Sequence, residues 1–154
     1  MFELILYQPE IPPNTGNIIR LCANTGVRLH LIRPLGFELD NKQLRRAGLD
    51  YHEFASLQLH DSLADCLGGL SERRVFAVST RGTHIYSEPR YQSGDIFLLG
   101  PETRGLPQTV LDDLPAKQIL RIPMCPDNRS LNLSNAAAIL VYAAWSQLNF
   151  TGGE

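Results

Sequence analysis

The run Ile122-Pro-Met-Cys-Pro-Asp-Asn-Arg-Ser-Leu-Asn-Leu-Ser-Asn135 sets a guanidinium, hydroxyls and side-chain amides at the head of an apolar stretch, Ala136–Trp145. Ser and Asn there can cap the free amides of a helix start, and the remaining amides point at whatever lies in front of them. Pro123 and Pro126 stiffen the approach. Two further segments repeat the arrangement. Asp95–Leu99 runs into Gly100-Pro-Glu-Thr-Arg-Gly-Leu-Pro107, and Phe2–Tyr7 runs into Gln8-Pro-Glu-Ile-Pro-Pro-Asn-Thr-Gly-Asn17 with Arg20 just beyond. Polar loops held at the carboxyl ends of strands are where α/β proteins place ligands, so three of them point to one composite pocket. Of the 14 basic residues all but Lys42 and Lys117 are Arg. Guanidinium suits bidentate phosphate contacts and stacking on bases, although enrichment alone is weak support for RNA.

Several chemistries are absent. There is no Gly-x-Ser-x-Gly elbow, no phosphate loop ending Gly-Lys-Ser/Thr and no Gly-x-Gly-x-x-Gly fingerprint. His30, His52, His60 and His84 do not fall at metal-ligand spacings with one another or with the cysteines, so no metal is expected.

The elements that must position these loops alternate. Strands are expected at Phe2–Tyr7, Arg28–Ile32, Ala55–Leu59, Arg74–Ser79, Ile96–Leu99 and Gln118–Ile122. Most are short apolar runs without sustained alternation, as in strands covered on both faces. Helices are expected at Thr15–Thr25, Asn41–Ala47, Ser62–Leu67, Pro107–Asp113 and Asn132–Leu148, several closed by Gly. This pattern predicts one α/β domain over residues 1–154 with a mainly parallel sheet and helices on both faces. From Ala136 to Trp145 only the Tyr142 hydroxyl and the indole N–H of Trp145 interrupt an apolar run, so the last helix should be buried all round, which favours a homodimer. Arg45-Arg46 and Arg73-Arg74 are candidate phosphate contacts.

A length of 154 residues is enough to bury a real core, and 44% apolar with 19% charged residues is ordinary for a soluble protein. No apolar run approaches a membrane span, and residues 1–8 lack the basic start of a signal peptide. Three scattered cysteines suggest reduced thiols in a cytoplasm. A net charge of −2 gives no global attraction to nucleic acid.

Asn14-Thr-Gly-Asn-Ile-Ile-Arg20, Leu99-Gly-Pro-Glu-Thr-Arg-Gly-Leu106 and the Ile122–Asn135 run resemble, in order, the three motifs of the SPOUT class of RNA methyltransferases. Within that class the chain is similar end to end to the small bacterial enzymes that methylate the ribose 2′-hydroxyl of the tRNA wobble nucleotide, cytidine or modified uridine. The resemblance implies a deep carboxyl-terminal trefoil knot, S-adenosylmethionine as methyl donor, and a dimer packed through the first and last helices. It implies an adenosine pocket of Val78, Gly100, Ile122, Ser130 and Leu131, with Gly100 admitting close approach of backbone to ligand. Glu102 would hold the loop or the ligand. Arg20 is the leading catalytic candidate, stabilising the developing alkoxide or gripping the adjacent phosphate; a guanidinium that stays protonated is a poor base. Arg129 and Tyr142 are second candidates, the phenol near a dimer-related site. Two alternatives stand beside this reading: the same chemistry at another tRNA or ribosomal RNA site, and a non-catalytic knotted RNA-binding protein.

Overall fold

A computed structural model describes residues 1–154. In chain order it contains β1 (Glu3–Tyr7), α1 (Pro12–Thr25), β2 (Arg28–Ile32), α2 (Asn41–Arg46), α3 (Tyr51–Phe54), β3 (Gln58–His60), α4 (Leu63–Gly68), β4 (Val75–Val78), β5 (His84–Ile85), β6 (Ile96–Leu99), α5 (Gln108–Asp112), a 3-10 turn at Ala116–Gln118, β7 (Ile119–Arg121) and α6 (Leu133–Gln147). The strands make one seven-stranded sheet in the order β3-β2-β1-β6-β4-β7-β5. Every pairing is parallel.

The central strands are apolar at every position or nearly so because both their faces are covered. On one face Leu4, Leu6, Leu29, Leu31, Phe76, Phe97 and Leu99 form a core with α1, α3 and α6. On the other, Ile5, Ile32, Ala77, Ile96 and Leu98 meet Cys66 of α4 and Leu111 of α5. Alternate residues of one strand thus serve two cores, as the two-residue side-chain period requires. The α6 stripe Leu133, Ala136, Ala137, Leu140, Val141, Ala144 and Trp145 is buried against its own chain. Its other side is not: Ala138, Ile139 and Ala143 are half-buried and Tyr142 is 45% exposed.

At the amino ends of the strands, two fully buried carboxylates are neutralised by arginines. Glu3 accepts from Arg28, from Arg73 at 2.6 Å and from His30 at 2.8 Å. Asp95 accepts from Arg74 Nε at 2.9 Å and from its Nη2 at 2.6 Å. Burial pushes the Glu3 carboxyl up, but the bonds from His30, Arg28 and Arg73 together outweigh it and hold it below the usual carboxylate range. Arg73 and Arg74 are therefore engaged by buried carboxylates of the frame.

Local differences from expectation have simple causes. α1 begins at Pro12, not Thr15, since proline suits a first helical turn. Residues 55–57 do not extend β3, because Ala55 ends the unforeseen α3, whose Asp50 amide is capped by Glu53 Oε2 at 2.6 Å. Two-residue β5 has no periodicity to detect. Gly68 lies inside the last turn of α4, with Gly69 following it.

Candidate active site

The carboxyl ends of β4, β6 and β7 open onto a cleft of about 890 Å³. Val78 ends β4, Gly100 follows β6 and Ile122 follows β7, and all three line it. Arg129, Ser130 and Leu131 of the last loop complete that wall, while Ile11 and Asn14 enter from the first loop. Every expected adenosine-pocket residue, together with Arg129, is thus brought to one cavity. Ile11, Met124 and Leu131 remain 41%, 37% and 39% exposed around it, an apolar lip suited to a flat ring.

The loops are tied to one another by crossed polar contacts. The Glu102 carboxylate accepts from the amides of Glu10, at 3.1 Å to each oxygen, and of Ile11 at 2.5 Å, so it caps the start of α1 from across the cleft. In return Glu10 accepts from the Thr103 amide at 3.0 Å and its hydroxyl at 2.8 Å, and these two bonds draw its carboxyl below the usual range. Asn132 Oδ1 accepts from the amides of Ser134 and Asn135 at 2.9 and 3.3 Å, and its Nδ2 donates to Asn14 Oδ1 at 2.9 Å. Asn132 therefore caps α6 and joins the third loop to the first turn of α1.

Gly100 is required by the fold of its own loop. A Cβ there would stand 2.3 Å from Leu106 N and 2.5 Å from Gly105 C, both in its own loop. The missing side chain lets the loop fold back on itself. A fourth loop, after β4, was not foreseen: Arg81 donates to Leu106 O at 2.7 Å and to Gln108 Oε1 at 2.6 Å, pinning the second loop from below. Its only sequence mark was an Arg-Gly pair after a strand.

Two expected catalytic residues lie outside this chain's own cleft. Arg20, on the outer side of α1 and 53% exposed, donates through Nε to Glu53 Oε1 at 3.0 Å and through Nη2 to Gly48 O at 2.5 Å. Glu53 is itself fixed by the Asp50 amide, and that bond, then the one from Arg20, lowers its carboxyl below the usual range. Arg20 is aimed, not freely solvated. Tyr142 projects from α6 with its ring against Trp145, centroids 5.7 Å apart. Of the cleft arginines, Arg81 and Arg104 are engaged by neighbours, the latter with Gln8 at 2.5 Å, whereas the guanidiniums of Arg121 and Arg129 bond no other side chain.

A doubly covered parallel sheet with three interlocked loops at its carboxyl ends is the frame of an α/β ligand-binding protein. The SpoU rRNA Methylase family matches residues 1–142, and the chain belongs to it. The tRNA (cytidine(34)-2′-O)-methyltransferase of Methylovorus glucosotrophus is 59% identical over 152 residues, 99% of each chain. The enzyme of the same name from Escherichia coli K12 is 58% identical, covering 99% of this chain and 97% of its own. A solved structure described as giving insights into the 2-OH methylation of C/U34 on tRNA superposes with a TM-score of 0.88 at 51% identity, covering 97% of both chains. No helix is long and apolar enough to cross a membrane.

Proposed function

We propose that this protein transfers a methyl group from S-adenosylmethionine to the ribose 2′-hydroxyl of the wobble nucleotide, position 34, of tRNA, a cytidine or modified uridine. The observation that carries the proposal is the meeting of Val78, Gly100, Ile122, Ser130 and Leu131 in one cleft of a family methylase whose near relatives bear that activity in their names. The cavity suits the donor: Val78, Ile122 and Leu131 offer apolar walls, and the loop backbones offer amides and carbonyls to a purine edge. When bound, the donor supplies a methyl group already activated on a sulfonium. The chain's own task is to hold the 2′-oxygen in line, at roughly 3–3.5 Å from the methyl carbon, and to stabilise the charge that develops on it. The transfer needs no metal.

Arg20 and Tyr142 fit that task in a dimer. Both stand on the uncovered sides of α1 and α6, whose apolar strip Ala138, Ile139 and Ala143 lacks a partner within the chain. In a homodimer packed through these helices, each Arg20 serves the cleft of the second copy, with Glu53 as its positioning residue. Arg129 and Arg121, at the mouth, contact the RNA backbone. The trefoil knot belongs to the same reading. Segment 79–95 carries β5 to the far side of β7, Gly82 presses on the Leu120 carbonyl, and Pro89 and Tyr91 bond the Gln147 amide near the end of α6. In this reading the chain after β7 threads beneath that segment, and all 154 residues work as one domain in the cytoplasm.

The deciding experiment is transfer of labelled methyl from S-adenosylmethionine to tRNA from cells lacking this modification, followed by nucleoside mapping. Label as a 2′-O-methyl pyrimidine at position 34 supports the proposal. Label at another tRNA or ribosomal RNA site keeps the chemistry and discards the target. A folded dimer that binds donor and RNA yet transfers nothing to any RNA would leave a non-catalytic binding protein.

A further inference from the structure

Far from the cleft, at the β2–β3 edge of the sheet, three side chains from three elements converge. They are His30 of β2, His60 of β3 and Cys66 of α4, and one ligand atom of each lies within 4.8 Å of the others. His30 Nδ1 and His60 Nε2 face each other at 2.9 Å. Behind them, His30 Nε2 stands 2.8 Å from Glu3 Oε2. Glu3 is fully buried and held ionised by Arg28 and Arg73, so it accepts a hydrogen bond from His30 Nε2–H, which leaves the Nδ1 lone pair aimed at His60. Cys66 is a free thiol, 1% exposed. Spacing along the chain hides this cluster, because its members come from segments that meet only in the sheet.

We propose that His30 Nδ1, His60 Nε2 and Cys66 Sγ form a binding site for a divalent ion of the zinc class. Two imidazoles and a thiolate are a borderline-soft donor set, matched to zinc and poorly matched to magnesium or calcium. Glu3 supplies the carboxylate that commonly stands behind a ligating imidazole, fixing its tautomer and ring orientation. On binding, the His60 proton moves from Nε2 to Nδ1, the Cys66 thiol releases its proton to water, and two N–metal bonds and one S–metal bond form. Ligand nitrogens around a tetrahedral ion stand about 3.3 Å apart. The 2.9 Å pair must therefore open slightly, which His60, half-buried on an edge strand, can do. Solvent on that side supplies the fourth ligand. The ion would fasten α4 and the edge strand to β2 and leave methyl transfer untouched.

The test uses the full chain carrying Cys125→Ser, which removes the exposed thiol, after metal is stripped by chelator. Titration with Co²⁺ should show one equivalent giving tetrahedral d–d bands and a thiolate-to-cobalt charge-transfer band. Zn²⁺ should displace it and raise the melting temperature. Cys66→Ser should abolish the charge-transfer band, and Cys66→Ser and His60→Gln should each weaken Zn²⁺ binding by more than about tenfold. Donor binding by the metal-free chain should equal that of the loaded chain, which separates this proposal from the reading of the cleft. Absence of a thiolate band from the folded chain, or Zn²⁺ affinity indifferent to both substitutions, would overturn it and leave a hydrogen-bonded imidazole pair.

Discussion

Replacing Gly100 by Ala tests whether the second loop's shape, not its composition, makes the cleft. The added Cβ would lie 2.3 Å from Leu106 N and 2.5 Å from Gly105 C, where ordinary contact begins at 3.4 Å, an overlap of roughly 1 Å. Both atoms are backbone, so no side-chain rotation relieves it. Moving residues 105–106 would pull Leu106, 1% exposed, from the core it shares with Ile5, Leu98 and Leu111, and would strain the Arg81 bond to its carbonyl. Overpacking of this kind costs about 1–3 kcal/mol. At ~2 kcal/mol a chain of this size melts about 4–8 °C lower. If the loop yields instead, the same free energy appears as a loss of donor affinity of about 10–100-fold, at 1.4 kcal/mol per factor of ten. Gly105→Ala is the internal control. Gly105 has a φ of +67° but nothing within 4 Å of a Cβ, so it should cost about 1 kcal/mol of backbone strain and little affinity. Calorimetric melting and titration with S-adenosylmethionine read both quantities. A Gly100→Ala chain that melts and binds like the parent would refute the argument.

Arg20→Ala should keep the fold and donor binding while lowering methyl transfer by about 10²-fold or more, as measured by single-turnover kinetics; a near-parental rate would remove Arg20 from the reaction. Glu53→Gln should lower transfer less, since it loosens the aim of Arg20 and leaves its charge. Glu3, whose folded pKa is lowered, contributes stability that is present above its unfolded pKa of ~4.3 and lost as pH falls through the folded value. Glu3→Gln should therefore cost about 3–5 kcal/mol in urea unfolding at pH 7, and the cost should shrink progressively as pH falls below the ordinary carboxylate range; a loss that does not change with pH would show that packing, not charge, is what the residue supplies. Ile139→Asp, on the half-buried side of α6, should convert a dimer to monomer in sedimentation equilibrium while the α6 core stripe holds the fold.

The sheet was legible because its strands are apolar runs with both faces covered, a pattern that survives without knowledge of what covers them. The cleft was legible because Pro, Gly and Asn mark loop ends locally. What escaped notice depends on contacts across the chain. Glu102 caps a helix about 90 residues earlier, Arg81 holds the second loop from a neighbouring strand end, and Arg73 and Arg74 turn inward to Glu3 and Asp95. None of these pairings has a sequence spacing. The same holds for His30, His60 and Cys66, whose separation in sequence argued against a shared site and whose strands nonetheless align Ile32 with His60.

A net charge of −2 is compatible with RNA binding once the arginines are sorted by what already engages them. Arg28, Arg73 and Arg74 neutralise buried carboxylates at the amino ends of the strands, and Arg33 pairs with Asp61. Those charges support the frame and contribute little field outside it. Arg45 and Arg46 are exposed on α2 without an ion-pair partner, and Arg121 and Arg129 stand at the cleft mouth in the same condition. Of the carboxylates that pair with arginines, Glu3 and Asp95 lie at the end of the sheet opposite the cleft, so those ion pairs are set apart from it. A polyanion at the cleft meets the free guanidiniums of Arg121 and Arg129 beside the Glu10 and Glu102 carboxylates, which loop amides and the Thr103 hydroxyl already engage, and within a Debye length of about 8 Å this local set counts for more than the total.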